Sequence, residues 1–95
     1  MDYALVWTED AQENYRQTAI YLLDAYEFNT ADRFTDTVNA QLRILEKSPF
    51  IGRRLDALPS VRKLPIQPYN IVYYAIAERQ VVILNSLDSR RYPSL

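Results

Sequence analysis

Apolar residues recur at helical spacing through the first half of the chain and at alternating spacing through the second, and the period changes at Pro49. Residues 3–7 (Tyr-Ala-Leu-Val-Trp) form a short run of aromatic and branched side chains that suits a strand. Thr8 follows as a helix N-cap, with Glu9 and Asp10 in the first turn, where the helix dipole favours acids. Ala11, Tyr15, Thr18, Ala19, Leu22, Leu23 and Tyr26 share one helical face, and this helix is expected to end near residue 25. Glu27-Phe28-Asn29 reads as a connector, and Asn29 or Thr30 as the cap of a second helix. The stripe of that helix is Ala31, Phe34, Val38, Leu42 and Leu45, with Ile44 beside it. Lys47 sits in its last turn and Pro49 stops it. Two helices joined this closely predict an antiparallel hairpin.

After Pro49, residues 50–59 read as a loop carrying Gly52-Arg53-Arg54. Val61 to Ile66 alternates as a strand, with Arg62, Leu64 and Ile66 on one side and Val61 and Lys63 on the other. Pro65 lacks a ladder donor and points to an edge position or an early end. Pro68-Tyr69-Asn70 turns the chain into a strand from Ile71 to Ala77, and Glu78-Arg79-Gln80 turns it again into Val81 to Leu87. These last two strands are apolar on both faces, so both faces must be covered. One helical hairpin covers one face; the other is then a shallow second core or a surface for a partner. The order is β-α-α-β-β-β in a single domain over residues 1–95. It predicts an α+β fold: an antiparallel sheet with a two-helix hairpin packed on one face, and strand 1 at an edge or beside the last strand.

Composition narrows the chemistry. The 95 residues include no Cys and no His, which removes disulfides, thiolate chemistry, imidazole acid–base pairs and the usual zinc ligands. No metal or cofactor is expected. Met1-Asp2-Tyr3 shows neither a basic nor an apolar leader, and no apolar run reaches the ~20 residues that span a bilayer. The expectation is a cytoplasmic protein without a membrane partner. Net charge is −1 but unevenly placed: residues 1–48 hold nine acids and four bases, residues 49–95 three acids and seven bases. Such asymmetry points to an anionic or acidic partner for the second half, the alternative being simple solvation of a surface.

Several short motifs, in order along nearly the whole chain, resemble one family. Val6-Trp7-Thr8 with Ala11, then Tyr21-Leu22, then Pro49 with Gly52-Arg53 are the first three. Val61 to Tyr73 and the close from Ile83 through Leu87-Asp88 and Arg90-Arg91 to Pro93 complete the set. Together they resemble the RelE/ParE toxin superfamily, and the close resembles its ParE-like branch most. The resemblance implies a toxin of a bacterial type II toxin–antitoxin pair, of the kind tied to plasmid stabilisation, and the same helices-on-sheet domain. It implies a cognate antitoxin whose C-terminal segment wraps the toxin. It also implies one of two activities: RelE-like ribosome-dependent cleavage of mRNA, or ParE-like inhibition of DNA gyrase by binding.

Cleavage through a 2′-hydroxyl needs a base, cations for the developing phosphorane and an acid for the leaving oxygen. On the RelE-like reading, Arg62, Arg90 (or Arg91) and Tyr92 would fill those roles. Against it stand the absence of His, only two lysines and a sequence pI near 5.3, where phosphate binding favours a basic excess. Gyrase inhibition needs a surface, for which Arg90, Arg91 and Tyr92, with Arg53 and Arg54, are the candidates; arginine and tyrosine are enriched at interface hot spots. Arg62, Tyr73 and Tyr74 are the candidates for antitoxin binding. No sequence-specific nucleic-acid contact is expected. A third reading is a non-toxic member that only binds its antitoxin. Tyr15, Tyr21 and Tyr26 read as core residues with wet hydroxyls, and Trp7 as packing for the first strand.

Overall fold

Thr8 begins the fold as its sequence position suggests. Its hydroxyl accepts the Ala11 backbone N–H at 3.1 Å, the N-cap geometry, and donates to the Ile83 carbonyl at 2.9 Å. One side chain thus starts the first helix and ties it to the last strand. The structure is a computed structural model that describes residues 2–25, 28–66 and 70–88. Its elements are β1 (Ala4–Trp7), α1 (Glu9–Ala25), α2 (Phe28–Lys47), β2 (Arg53–Arg54), β3 (Val61–Ile66), β4 (Asn70–Ala77) and β5 (Gln80–Asp88). The α+β fold with its helical hairpin is as the periodicity predicts.

Three local expectations need correction. First, α2 already starts at Phe28, so Asn29 and Thr30 lie inside its first turn. The cap preference of Asn and Thr is weak beside the pull of packing. Second, Arg53–Arg54, expected in a loop, form a fifth strand paired antiparallel with Lys63 and Arg62. Two residues are too few to show a period. Third, the sheet is mixed. Its order is β1-β5-β4-β3-β2, and β1 runs parallel to β5, from Ala4 opposite Gln80 to Trp7 opposite Ile83. The edge place of β1 and its neighbour β5 were both expected; the direction was not, because it depends on how the helical hairpin returns the chain. Pro65 lies past the short β2 partner, so its missing N–H faces no strand on that side.

The core lies between the hairpin and one face of the sheet. Val38, Leu42 and Leu45 of α2 and Ala11 of α1 pack on Ile66, Val72, Tyr74, Val81 and Ile83. Trp7, Tyr15 and Phe34 form an aromatic ladder beside it, with ring centroids 5.6 Å apart at each step. Leu23, expected on the buried face of α1, is 48% exposed, and Tyr21 is exposed as well. The face is narrower than the apolar pattern, since α1 packs chiefly on β5. Tyr26 lies outside the described residues.

Two irregularities shape the sheet. The β4–β5 hairpin turns on Glu78 (φ 48°) and Arg79 (φ 65°), the left-handed pair that a two-residue turn of right-twisted strands needs. Asn-Gly is the usual choice there. Here the strain is offset by contacts of Arg79: its guanidinium lies 5.3 Å over the Tyr3 ring, and its carbonyl accepts the Ala4 N–H at 3.0 Å. The second irregularity is a bulge. Tyr73 pairs with Asn85 and Tyr74 with Ile83, leaving Leu84 as the extra residue of β5. Beyond it the alternation reverses, so Ser86 and Asp88 are buried and Leu87 turns to the face away from the helices.

Candidate functional site

The face away from the helices carries a row of side chains across three strands, and at the β5 end of that register Asn85 reaches back to α1, its Nδ2 donating to Asn14 Oδ1 at 3.0 Å. Arg53 stands opposite Lys63, Lys63 opposite Tyr73, and Tyr73 opposite Asn85. Strand alternation puts Val61 on the same face. There Leu55, Leu58, Val61, Tyr73, Leu84, Asn85 and Leu87 line an apolar cleft of about 230 Å³. The loop after β2 shapes one wall: the Leu55 N–H donates to the Val61 carbonyl, and the Val61 N–H donates to the Leu58 carbonyl, each at 2.9 Å. Leu58 itself is 54% exposed. The bulge at Leu84 supplies the opposite wall.

Tyr73 sits in this cleft only 6% exposed, and its hydroxyl has no hydrogen-bond partner among the described residues. Burial pushes its pKa above the usual tyrosine value, so near neutral pH it is a phenol with a proton to donate. The cleft therefore offers aliphatic walls, one unused donor and a basic margin. Between Pro49 and Ile66 the chain holds four bases (Arg53, Arg54, Arg62, Lys63) and a single acid, Asp56.

The helix side of the same strands is closed by a clamp. The Tyr74 hydroxyl donates to the Pro49 carbonyl at 2.7 Å and accepts the Gly52 N–H at 2.8 Å. Arg62 Nη1 donates to the carbonyls of Gly52 at 2.7 Å and Phe50 at 3.1 Å, and its guanidinium lies 5.2 Å over the Phe50 ring. Phe50 meets Tyr3 edge to face. A side chain on residue 52 would drive its Cβ to 2.7 Å from the Tyr74 Cε1, which is why the only glycine of the chain stands here. The Tyr74 pKa is also raised by burial, with the Gly52 N–H and the Arg62 charge pulling partly the other way.

The residues singled out from sequence thus separate. Arg53 and Arg54 are exposed on the edge strand β2, Arg53 toward the cleft face and Arg54, opposite Arg62, toward the helix side. Tyr73 lines the cleft. Tyr74 is wholly buried and Arg62 half-buried, both holding the segment after α2. Arg90, Arg91 and Tyr92 lie outside the described residues. Sequence reasoning missed the cleft walls, Leu55, Leu58, Leu84 and Leu87, and the place of Lys63 in the row. The signal available was the two-sided apolarity of the last strands, which marks a second covered face but not which side chains converge on it. Among the described residues no group of acids could hold a metal ion. No helix among them is long and apolar enough to cross a membrane.

Comparison with known proteins agrees with this architecture. The family model described as the ParE toxin of the type II toxin–antitoxin system parDE matches residues 5–91. No curated protein resembles the chain closely in sequence. Among solved structures, the chromosomal ParDE toxin–antitoxin system of P. aeruginosa superposes with a TM-score of 0.77 at 16% identity, covering 90% of this chain and 95% of that one. The YoeB/ParE toxin of Agrobacterium tumefaciens gives 0.67 at 17% identity, covering 90% and 97%. The RelBE2 toxin–antitoxin complex of Mycobacterium tuberculosis gives 0.64 at 15% identity, covering 93% and 99%. At these identities the likeness to solved structures speaks for the fold alone.

Proposed function

The chain belongs to the family of ParE toxins of type II toxin–antitoxin systems, and on that premise we propose that it acts by binding, with bacterial DNA gyrase as its target and a cognate antitoxin as its neutraliser. The observation that carries the choice is the engagement of Arg62. A phosphodiester-cleaving set would need this strand cation open to a phosphate. Instead it donates to two backbone carbonyls and covers the Phe50 ring. Tyr73, with its raised pKa, is a poor base for a 2′-hydroxyl. An exposed basic strand and an apolar cleft support recognition of a protein surface, where arginine and buried aromatic anchors carry much of the energy. Arg90, Arg91 and Tyr92, together with Arg53 and Arg54, remain the proposed contacts to the target, and Tyr73 a proposed contact to the antitoxin.

One experiment separates the readings. The purified chain is added to a gyrase supercoiling reaction and, separately, to ribosomes translating a defined mRNA. Inhibited supercoiling with intact mRNA is expected; codon-dependent cleavage would overturn the proposal, and inactivity in both would identify a member that only binds its antitoxin. Arg90→Ala combined with Arg91→Ala should abolish inhibition while the circular dichroism spectrum stays unchanged.

A further inference from the structure

Folding leaves one good donor on the second face unused. Tyr73 is more than nine-tenths buried, it lines the cleft, and its hydroxyl donates to nothing among the described residues. A buried polar group without a partner costs stability, so in this domain it is an opening for a ligand that brings an acceptor. The rest of the cleft defines that ligand further. Its walls are aliphatic, from Leu55, Leu58, Leu84 and Leu87, with room for a leucine-sized side chain in about 230 Å³. Arg53 and Lys63 stand in the same cross-strand row as Tyr73, so the acceptor that enters there meets positive charge. Asp56, on the loop beside Leu55, is the single opposing acid between Pro49 and Ile66.

We propose that this cleft seats a protein segment that carries a leucine-type side chain next to a carboxylate, the aliphatic group filling the leucine-walled space and the carboxylate accepting the Tyr73 hydroxyl on the side of Lys63 and, one strand further, Arg53. Nucleic acid fits less well: single-stranded bases are held by stacking on aromatic faces, and this cleft presents aliphatic walls. A second copy of the chain fits less well too, because a two-fold contact on this face would bring like-charged margins together. The Tyr73 hydroxyl is covered, so the segment reaches it by displacing side chains of the cleft wall. The proposal deepens the reading of the chain as a toxin held by an antitoxin. It rests on that reading only for the source of the segment; the chemistry of the cleft stands apart from whether gyrase is the target.

The test uses the whole chain and a short random-peptide library. Enriched peptides are expected to share an aliphatic residue with an Asp or Glu close by. Calorimetry on an enriched peptide should show about tenfold weaker binding to Tyr73→Phe, a charged hydrogen bond lost without a change of shape. Replacing the peptide acid by its amide should weaken binding to the wild type more than it weakens binding to Tyr73→Phe, where only the attraction of Arg53 and Lys63 is left to lose, and that difference is the signature of direct coupling. Leu84→Asp should remove binding, with circular dichroism checking its fold; Tyr73→Phe keeps the test open if Leu84→Asp does not fold. No enrichment, peptides without an acid, or affinities indifferent to Tyr73→Phe would overturn the proposal. So would tighter binding of a single-stranded oligonucleotide at the cleft, or a dimer dissolved by Leu58→Glu. A toxin inactive on gyrase would leave these affinities unchanged, so the two proposals fail separately.

Discussion

Tyr74 and Tyr73 are neighbours on β4, both buried, and the two faces of the sheet treat them in opposite ways. On the helix side, the Tyr74 hydroxyl both donates and accepts, joining Pro49 and Gly52, while Arg62 caps the carbonyls beside them. On the far side, the Tyr73 hydroxyl has no partner among the described residues, and its ring lines a cleft with basic side chains in its row. Around Tyr74 the polar groups satisfy one another and serve the fold, although Asn70 Nδ2 on the same face has no partner among the described residues. The far face leaves the Tyr73 donor unused at a stability cost, and that is the face with something to offer a partner. Polar residues of similar type on adjacent positions therefore cannot be sorted into structural and functional by composition. Their hydrogen-bond accounts sort them.

The contrast breaks hardest at Gly52. Gly52→Ala pushes a methyl into the Tyr74 ring, and both the ring and the segment after α2 are locked by their own bonds. A loss of about 3 kcal/mol in urea unfolding is expected, at the upper end for overpacking. A loss under half of that would mean that the clamp yields easily. Tyr74→Phe comes next. It strands the Pro49 carbonyl and the Gly52 N–H in a buried place, and about 2 kcal/mol should go. If Tyr74→Phe were neutral, the two faces would not differ in the way described.

Much of this was readable from the residues. The stripe Ala31, Phe34, Val38, Leu42, Leu45 placed α2 on the core, because a period repeats and can be counted. The two-sided apolarity of 71–77 and 81–87 announced that the sheet has a second covered face. What stayed hidden are features without a period. The Leu84 bulge changes which β5 residues face the cleft, and one extra residue leaves no mark in an all-apolar run. The bond between Tyr74 and Gly52 spans 22 residues, so local pattern is silent about it. Arg62 shows the cost for the candidate site: a strand arginine in a basic half reads as a partner's cation, yet here it donates to backbone carbonyls. The parallel direction of β1 is likewise a tertiary fact, set by the path through the helices.

The smallest effect is the sharpest, because its sign is opposite. Tyr73→Phe removes a buried hydroxyl that has no partner, and it should stabilise the unliganded chain by about 1 kcal/mol, raising Tm by roughly 4–8 °C. The pH dependence adds a second reading of the same group. Burial raises the Tyr73 pKa, so the folded state holds this proton more tightly than the unfolded chain does. That contribution is fully present below the ordinary tyrosine value of about 10 and is lost as pH climbs through the higher folded value. Wild-type stability should therefore fall on the alkaline side, and the fall should be shallower in Tyr73→Phe, which has one fewer such group. Denaturant titrations at neutral pH and above the tyrosine range check both points. A variant less stable than the wild type at neutral pH would show that the hydroxyl contributes to the fold after all. Stability gained in the unliganded state together with affinity lost for an acidic peptide is the pairing that only a donor reserved for a partner produces.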